Sequence, residues 1–115
     1  MSEPTMSCDL SNKKCVPCAG GVSKLAGTAI DALMAQLGNG WRVVSGDRLE
    51  KDYKFKDFRT ALAFTNRVGE LAEEQGHHPD IHLGWGRVKL ELQTHKVGGL
   101  TESDFILAAK ADKVL

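Results

Sequence analysis

The chain has 115 residues, 42% of them hydrophobic and 26% charged, and its 15 basic side chains balance 15 acidic ones to a formal net charge of zero. That length suits one domain able to bury roughly two-thirds of its unfolded surface without disulfides or metal. Nucleic-acid binding draws on clustered Lys and Arg against phosphate, and here the basic residues are interleaved with acids, which argues against such a partner. No run reaches the roughly 20 apolar residues of a membrane helix, and Met1–Leu10 lacks an apolar signal core, so a cytoplasmic, reduced setting is expected.

Residues 1–22 are rich in Ser, Asn, Lys, Pro and Gly and read as an extended arm, followed by a single domain over 23–115. The arm holds all three cysteines, Cys8, Cys15 and Cys18. Cys15-x2-Cys18 has half of a zinc site's spacing but no second pair, and a reduced arm is the plainer reading. Ile30, Leu33, Met34 and Leu37 then recur at helical spacing, with Gly38 placed to close the helix in a left-handed cap. Trp41–Ser45 reads as a strand and Gly46-Asp47 as a turn. Leu49, Lys51, Tyr53 and Phe55 alternate with Glu50, Asp52 and Lys54 as a half-buried strand with one imperfect position.

Asp57 is an N-cap for a longer helix whose apolar stripe comprises Phe58, Ala61, Leu62, Thr65, Val68, Gly69 and Ala72, widened by Phe64 and Leu71. Gly76 caps its end, and Pro79 cannot extend it. Ile81, Leu83 and Trp85 alternate until Gly86 breaks the run. Val88, Leu90, Leu92 and Thr94 next face one way, and Lys89, Glu91, Gln93 and His95 the other. After Gly98-Gly99, Thr101-Glu102-Ser103-Asp104 reads as a capping box opening the last helix. The order α-β-β-α-β-β-α with short links predicts an α+β fold, a four-stranded antiparallel sheet with helices on one face. Short, unpaired edge strands predict a symmetric homo-oligomer.

Four histidines, His77, His78, His82 and His95, fall within 19 residues. Imidazole is the side chain best matched to proton transfer near neutral pH. A lone His is most often a surface or capping residue, but the adjacent pair His77-His78 just past a helix end can grip one ligand from two sides. Periodicity does not show that His95 joins them. A three-histidine zinc set is a competing explanation, although a His-x3-His pair on one helix face is absent. No Gly-x-Ser-x-Gly elbow occurs, and neither Gly20-Gly21 nor Gly98-Gly99 sits in a phosphate-loop context.

The run Glu73-Glu74-Gln75-Gly76-His77-His78-Pro79 resembles the pterin-4a-carbinolamine dehydratase family. That family's pattern is an acidic residue, three spacers, His-His-Pro, an aromatic, a third His and a later Asp. Glu73, His77, His78, Pro79, Trp85, His95 and Asp104 fill those slots here. Gly40-Trp41, Lys54-Phe55-Lys56-Asp57-Phe58, Thr94-His95 and Gly99-Leu100 match its flanks, and the likeness spans roughly residues 25–112. Lys96 departs from the animal members, which carry an acidic residue there, and His82 fits no slot.

The resemblance implies a lyase that converts a 4a-hydroxytetrahydropterin to the quinonoid dihydropterin plus water, recycling the pterin cofactor of an aromatic amino-acid hydroxylase. It implies no metal or organic cofactor, a homodimer or homotetramer, and His77, His78 and His95 as the catalytic groups. Glu73, Gly76, Pro79, Trp41, Gln93, Thr94 and Asp104 are the candidate pterin contacts. Glu73, four residues before His77, is placed to fix an imidazole tautomer, while Asp104 doubles as a helix cap and Trp41 and Trp85 as packing residues. An animal member also serves as a dimerisation partner of a homeodomain transcription factor. Two alternatives therefore stand beside the enzyme: a binding module for a regulatory protein, and a pterin-handling protein of another pathway such as molybdopterin metabolism.

Overall fold

The computed structural model describes residues 24–115. The arm expected over 1–22, with its three cysteines, lies outside the described residues. In chain order the elements are α1 (Gly27–Leu37), β1 (Arg42–Val44), β2 (Arg48–Lys54), α2 (Phe58–Gln75), β3 (Asp80–Gly84), β4 (Arg87–Leu92), a 3-10 turn (His95–Val97) and α3 (Glu102–Lys113). The four strands form one antiparallel sheet in the order β1-β2-β4-β3. The architecture is the α+β sheet with α-β-β-α-β-β-α order that the patterning predicts.

Alternation decides which face of the sheet is dry. Leu49 and Tyr53 of β2 and Val88, Leu90 and Leu92 of β4 are buried under Ala61, Phe64 and Val68 of α2 and Phe105, Ile106 and Leu107 of α3. The register Leu49↔Leu92, Lys51↔Leu90 and Tyr53↔Val88 places these apolar side chains on one face. On the other face Arg42 pairs with Glu50 and Asp52, Arg48 with Glu50, and Lys89 with Glu50 and Glu91. His82 lies on this solvent face, 3.5 Å from Glu91. Burial opposes ionisation of Glu91, but hydrogen bonds and charge from His82 and Lys89 outweigh it and hold the carboxyl below its ordinary range.

α2 starts where Asp57 accepts from the Thr60 N–H at 2.8 Å, and the Thr60 hydroxyl and N–H hold that carboxyl below the usual range. The helix turns its Ala61, Phe64, Val68 and Ala72 face inward. Phe58 and Leu62, expected in the stripe, are exposed instead. Helical spacing sets the width of an apolar arc but not its centre. The small side chains of Ala61 and Ala72 let the helix approach the sheet, and Phe64 fills the space between them.

Trp85 also departs from expectation. It is 75% exposed in the β3–β4 turn rather than in a strand, because the hairpin closes between Gly84 and Arg87. There Gly86 has φ +66, and a Cβ on it would lie 3.0 Å from the Phe55 carbonyl oxygen, so only glycine fits. Gly38 caps α1 by donating to the Met34 carbonyl, but its φ 52 and ψ −135 are not left-handed helical. The chain must swing out through Asn39 and Gly40, both at positive φ, to enter β1.

α3 is buried on nearly every side, from Ser103 through Ala108 and again at Ala111. A helix enclosed by α1, α2 and the sheet needs no amphipathic stripe. Its two acidic anchors, Asp104 in the first turn and Asp112 in the last, tie it to different parts of the fold.

Candidate active site

Three chain ends meet in one cleft of about 310 Å³. Gly76, His77 and His78 come from the end of α2, and Gln93, Thr94, His95 and Lys96 from the exit of β4. The start of α3 stands behind them through Asp104.

Gly76 sets the first wall. It adopts the left-handed conformation (φ 66, ψ 25), and its N–H and that of His77 both close on the Ala72 carbonyl. The chain therefore turns sharply, and the two adjacent imidazoles part company. His77 swings inward until its Nε2 is 2.6 Å from Asp104 Oδ1, with its side chain only 10% exposed. His78 stays outside, with Nε2 2.6 Å from Glu73 Oε2. Glu73 thus engages His78 rather than His77. The (i, i+4) geometry that suggested His77 holds only while the helix continues, and the helix ends at Gln75.

Asp104 is 0% exposed and has acceptors for every donor around it. Oδ2 takes the Thr94 hydroxyl at 2.7 Å and the Thr101 N–H at 2.9 Å, and Oδ1 faces His77. It is at once the N3 member of the capping box and the partner of an imidazole. Two conditions that favour a buried carboxylate are met: several donors, and the positive end of a helix.

His95 opens the 3-10 turn, because β4 ends at Leu92 and the strand pattern read through His95 stops there. Thr94 N–H donates to the Gly99 carbonyl at 2.8 Å, and the Thr94↔Gly99 bridge pins both ends of this turn. The His95 ring is exposed and has no hydrogen-bond partner among the described residues. It lines the cleft as an exposed ring opposite the anchored His77.

The cleft brings together His77, His78, His95, Gly76, Gln93 and Thr94, with Asp104 and Glu73 behind two of the histidines. Pro79 follows His78 without lining it. Trp41 lies elsewhere, its indole N–H on Asp112 at 3.0 Å and its ring edge-on to Tyr53. Trp85 sits at the opposite end of β4 from the cleft. Sequence reasoning did not give Thr101 a place at the site beyond capping, although the capping box already put its N–H on Asp104. Among the described residues, no group of three or more His, Cys, Asp or Glu is arranged to hold a metal ion, and no helix is long and apolar enough to cross a membrane.

Residues 23–114 match the family model described as pterin 4 alpha carbinolamine dehydratase. A protein of Rubrobacter xylanophilus, provisionally named a pterin-4-alpha-carbinolamine dehydratase, is 55% identical over 92% of this chain and 98% of its own. One of Alkaliphilus metalliredigens, with the same provisional name, is 50% identical over 91% and 95%. Among solved structures, the transcriptional coactivator/pterin dehydratase of Brucella melitensis superposes with TM-score 0.75 at 32% identity, covering 80% of this chain and 98% of that one. A pterin dehydratase-like protein described as a RuBisCO assembly factor in the alpha-carboxysome superposes with TM-score 0.57 at 28% identity over 67% and 90%.

Proposed function

The chain belongs to the pterin 4 alpha carbinolamine dehydratase family, and from that premise we propose that it eliminates water from a 4a-hydroxytetrahydropterin by histidine acid/base catalysis. The observation that carries this reading is the 2.6 Å contact between His77 and a fully buried Asp104 at the wall of the cleft. A carboxylate accepts only, so His77 donates through Nε2–H, and Nδ1 is left as the nitrogen that takes a proton. Nδ1 has no hydrogen-bond partner among the described residues.

The reaction breaks the C4a–O bond and forms the C4a=N5 double bond. The hydroxyl departs as water and needs a proton, and the proton on N5 must leave. His95, as imidazolium, donates to the leaving hydroxyl, and His77 Nδ1 accepts the proton from N5. The excess proton then returns from His77 to His95 through solvent, so the cycle balances. His78, steadied by Glu73, and Gln93 hold the ring. The product is the quinonoid dihydropterin, and the cellular role is recycling of a tetrahydropterin cofactor downstream of an aromatic amino-acid hydroxylase. The protein works in the cytoplasm as a homodimer or homotetramer, the assembly covering the β1 and β3 edges, which have no further strand beside them among the described residues.

Stopped-flow absorbance on a synthetic 4a-carbinolamine tests the reading. His77→Ala and His95→Ala should each lower turnover by roughly 10²–10⁴-fold, the worth of a positioned acid or base. His82→Ala, on the far face of the sheet, should leave it unchanged. A wild-type protein that adds nothing to the uncatalysed rate would overturn the enzyme and favour a binding role; the alpha-carboxysome relative is described as an assembly factor.

A further inference from the structure

We propose that Thr94 is a positioning residue whose hydroxyl sets the tautomer of His77 by way of Asp104, rather than a contact to the substrate. The proposal deepens the dehydratase reading above and rests on it only for the size of its effect on turnover.

Thr94 lines the cleft, and the family resemblance made it a candidate ligand contact. Its side chain has no freedom to serve as one. The residue is 1% exposed, and Oγ1 lies 2.7 Å from Asp104 Oδ2 and 2.9 Å from Thr101 Oγ1. A hydroxyl carries a single hydrogen. Since the Asp104 carboxylate can only accept, that hydrogen goes to Oδ2. Thr94 oxygen must then accept from the Thr101 hydroxyl. The Asp104 backbone N–H closes on Thr101 itself, 3.1 Å from its carbonyl oxygen, at the capping box. Every hydrogen in the cluster is thereby assigned, and all point one way, from Thr101 through Thr94 to Asp104.

The consequence falls on the other carboxylate oxygen. Oδ2 is filled by the Thr94 hydroxyl and the Thr101 N–H, so Oδ1 is the only oxygen left for His77. The carboxylate is fixed in rotation, and His77 has one way to meet it. With the Thr94 hydroxyl gone, Oδ2 keeps a single donor. The carboxyl is then free to rotate, and the imidazole can present either nitrogen. Thr94 is well suited to this role because its β-branched side chain is stiff, and its backbone is pinned to Gly99 in both directions. It also directly precedes His95, so a single residue links the wall that carries one histidine to the anchor of the other.

The test is the ring-nitrogen signature of His77 in a long-range ¹H–¹⁵N spectrum of the full chain, read without substrate, beside steady-state kinetics. Wild type and Thr94→Ser should show one tautomer, Nε2–H. Thr94→Val should show a mixture with Nδ1–H and lose roughly ten- to a hundredfold in kcat, the worth of one hydrogen bond to a charged group, with KM nearly unchanged. Thr94→Ala deletes the same hydroxyl without placing a methyl beside a carboxylate and carries the same expectation should the valine variant unfold. A folded Thr94→Val or Thr94→Ala that keeps a pure Nε2–H signal overturns the proposal, as does a Thr94→Ser that behaves like valine. If wild type does not dehydrate the carbinolamine, the dehydratase reading falls while the tautomer measurement still decides the role of Thr94.

Discussion

The two ends of α3 offer a controlled comparison. Asp104 and Asp112 stand eight residues apart on one helix, and each gathers several donors. Asp104 draws on the Thr94 hydroxyl, the Thr101 N–H and His77. Asp112 draws on Lys51 at 2.8 Å, the Tyr53 hydroxyl at 2.6 Å and the Trp41 indole at 3.0 Å. The first sits at the helix N-terminus, where the macrodipole favours an anion, and has neutral donors plus one titratable imidazole. The second sits at the C-terminus, where the dipole opposes an anion, and a lysine compensates. The difference teaches what separates a working carboxylate from a holding one. Asp104 faces a group that can change protonation at the edge of a cleft. Asp112 faces no cleft and ties the end of α3 to Lys51 and Tyr53 of β2 and to Trp41.

Substitutions should separate the two ends. The largest effect is expected from Asp104→Asn, which keeps the shape but offers His77 an amide. Turnover should drop at least roughly 10²-fold with little change in KM, because the wrong tautomer faces the cleft. A variant that folds and turns over normally would erase the distinction between the ends. Next, Asp112→Ala should leave kcat unchanged but lower stability by about 3 kcal/mol in urea unfolding, since Lys51 keeps a nearly buried ammonium without its partner. Loss of activity without loss of stability would show that the C-terminal anchor reaches the chemistry.

A pH experiment sharpens the same contrast. Burial first, and then the Asp112 carboxylate, push the Tyr53 hydroxyl far above its usual range. Its proton is held more tightly in the folded state than in the unfolded one. The stability this contributes is fully present below the unfolded tyrosine value of about 10 and is lost as pH rises beyond it. Tyr53 is the only tyrosine in the chain, so phenolate absorbance should appear together with loss of the circular dichroism signal and not before it. The smallest effect belongs to the exposed Glu73–His78 pair. Glu73→Gln should change stability by less than about 0.5 kcal/mol, as expected of a surface ion pair, while raising KM if His78 holds the ring.

The N-terminal anchor was largely legible before the structure and the C-terminal one was not. Thr101 and Asp104 announce a capping box by spacing alone, Asp57 and Gly76 announce the ends of α2, and Val88, Leu90, Leu92 and Thr94 announce the dry face of β4. Those signals are local, set by neighbours within four residues. Asp112 meets Trp41, Lys51 and Tyr53 from 71, 61 and 59 residues away, and nothing in its own neighbourhood marks it. The same limit explains why Lys51 looked like an imperfect position in β2 rather than an ion-pair partner. At the site, the histidine pair was visible. Which imidazole turns inward was not, because it depends on one left-handed residue, Gly76, placed between Glu73 and His77.

The two anchors also give α3 a fixed length. Each helical residue advances about 1.5 Å and turns about 100°, so Asp104 and Asp112 are about 12 Å apart along the axis at a set angular offset. Inserting one residue near Lys110 would rotate Asp112 by about 100° away from Lys51 and Tyr53, or turn Asp104 off His77. Neither loss has a substitute nearby. Functional relatives should therefore accept insertions in the β1–β2 turn, where Ser45 and Gly46 face solvent, but not between these two carboxylates. There the number of residues acts as a gauge block, and the spacing of the core is transmitted to the placement of an imidazole.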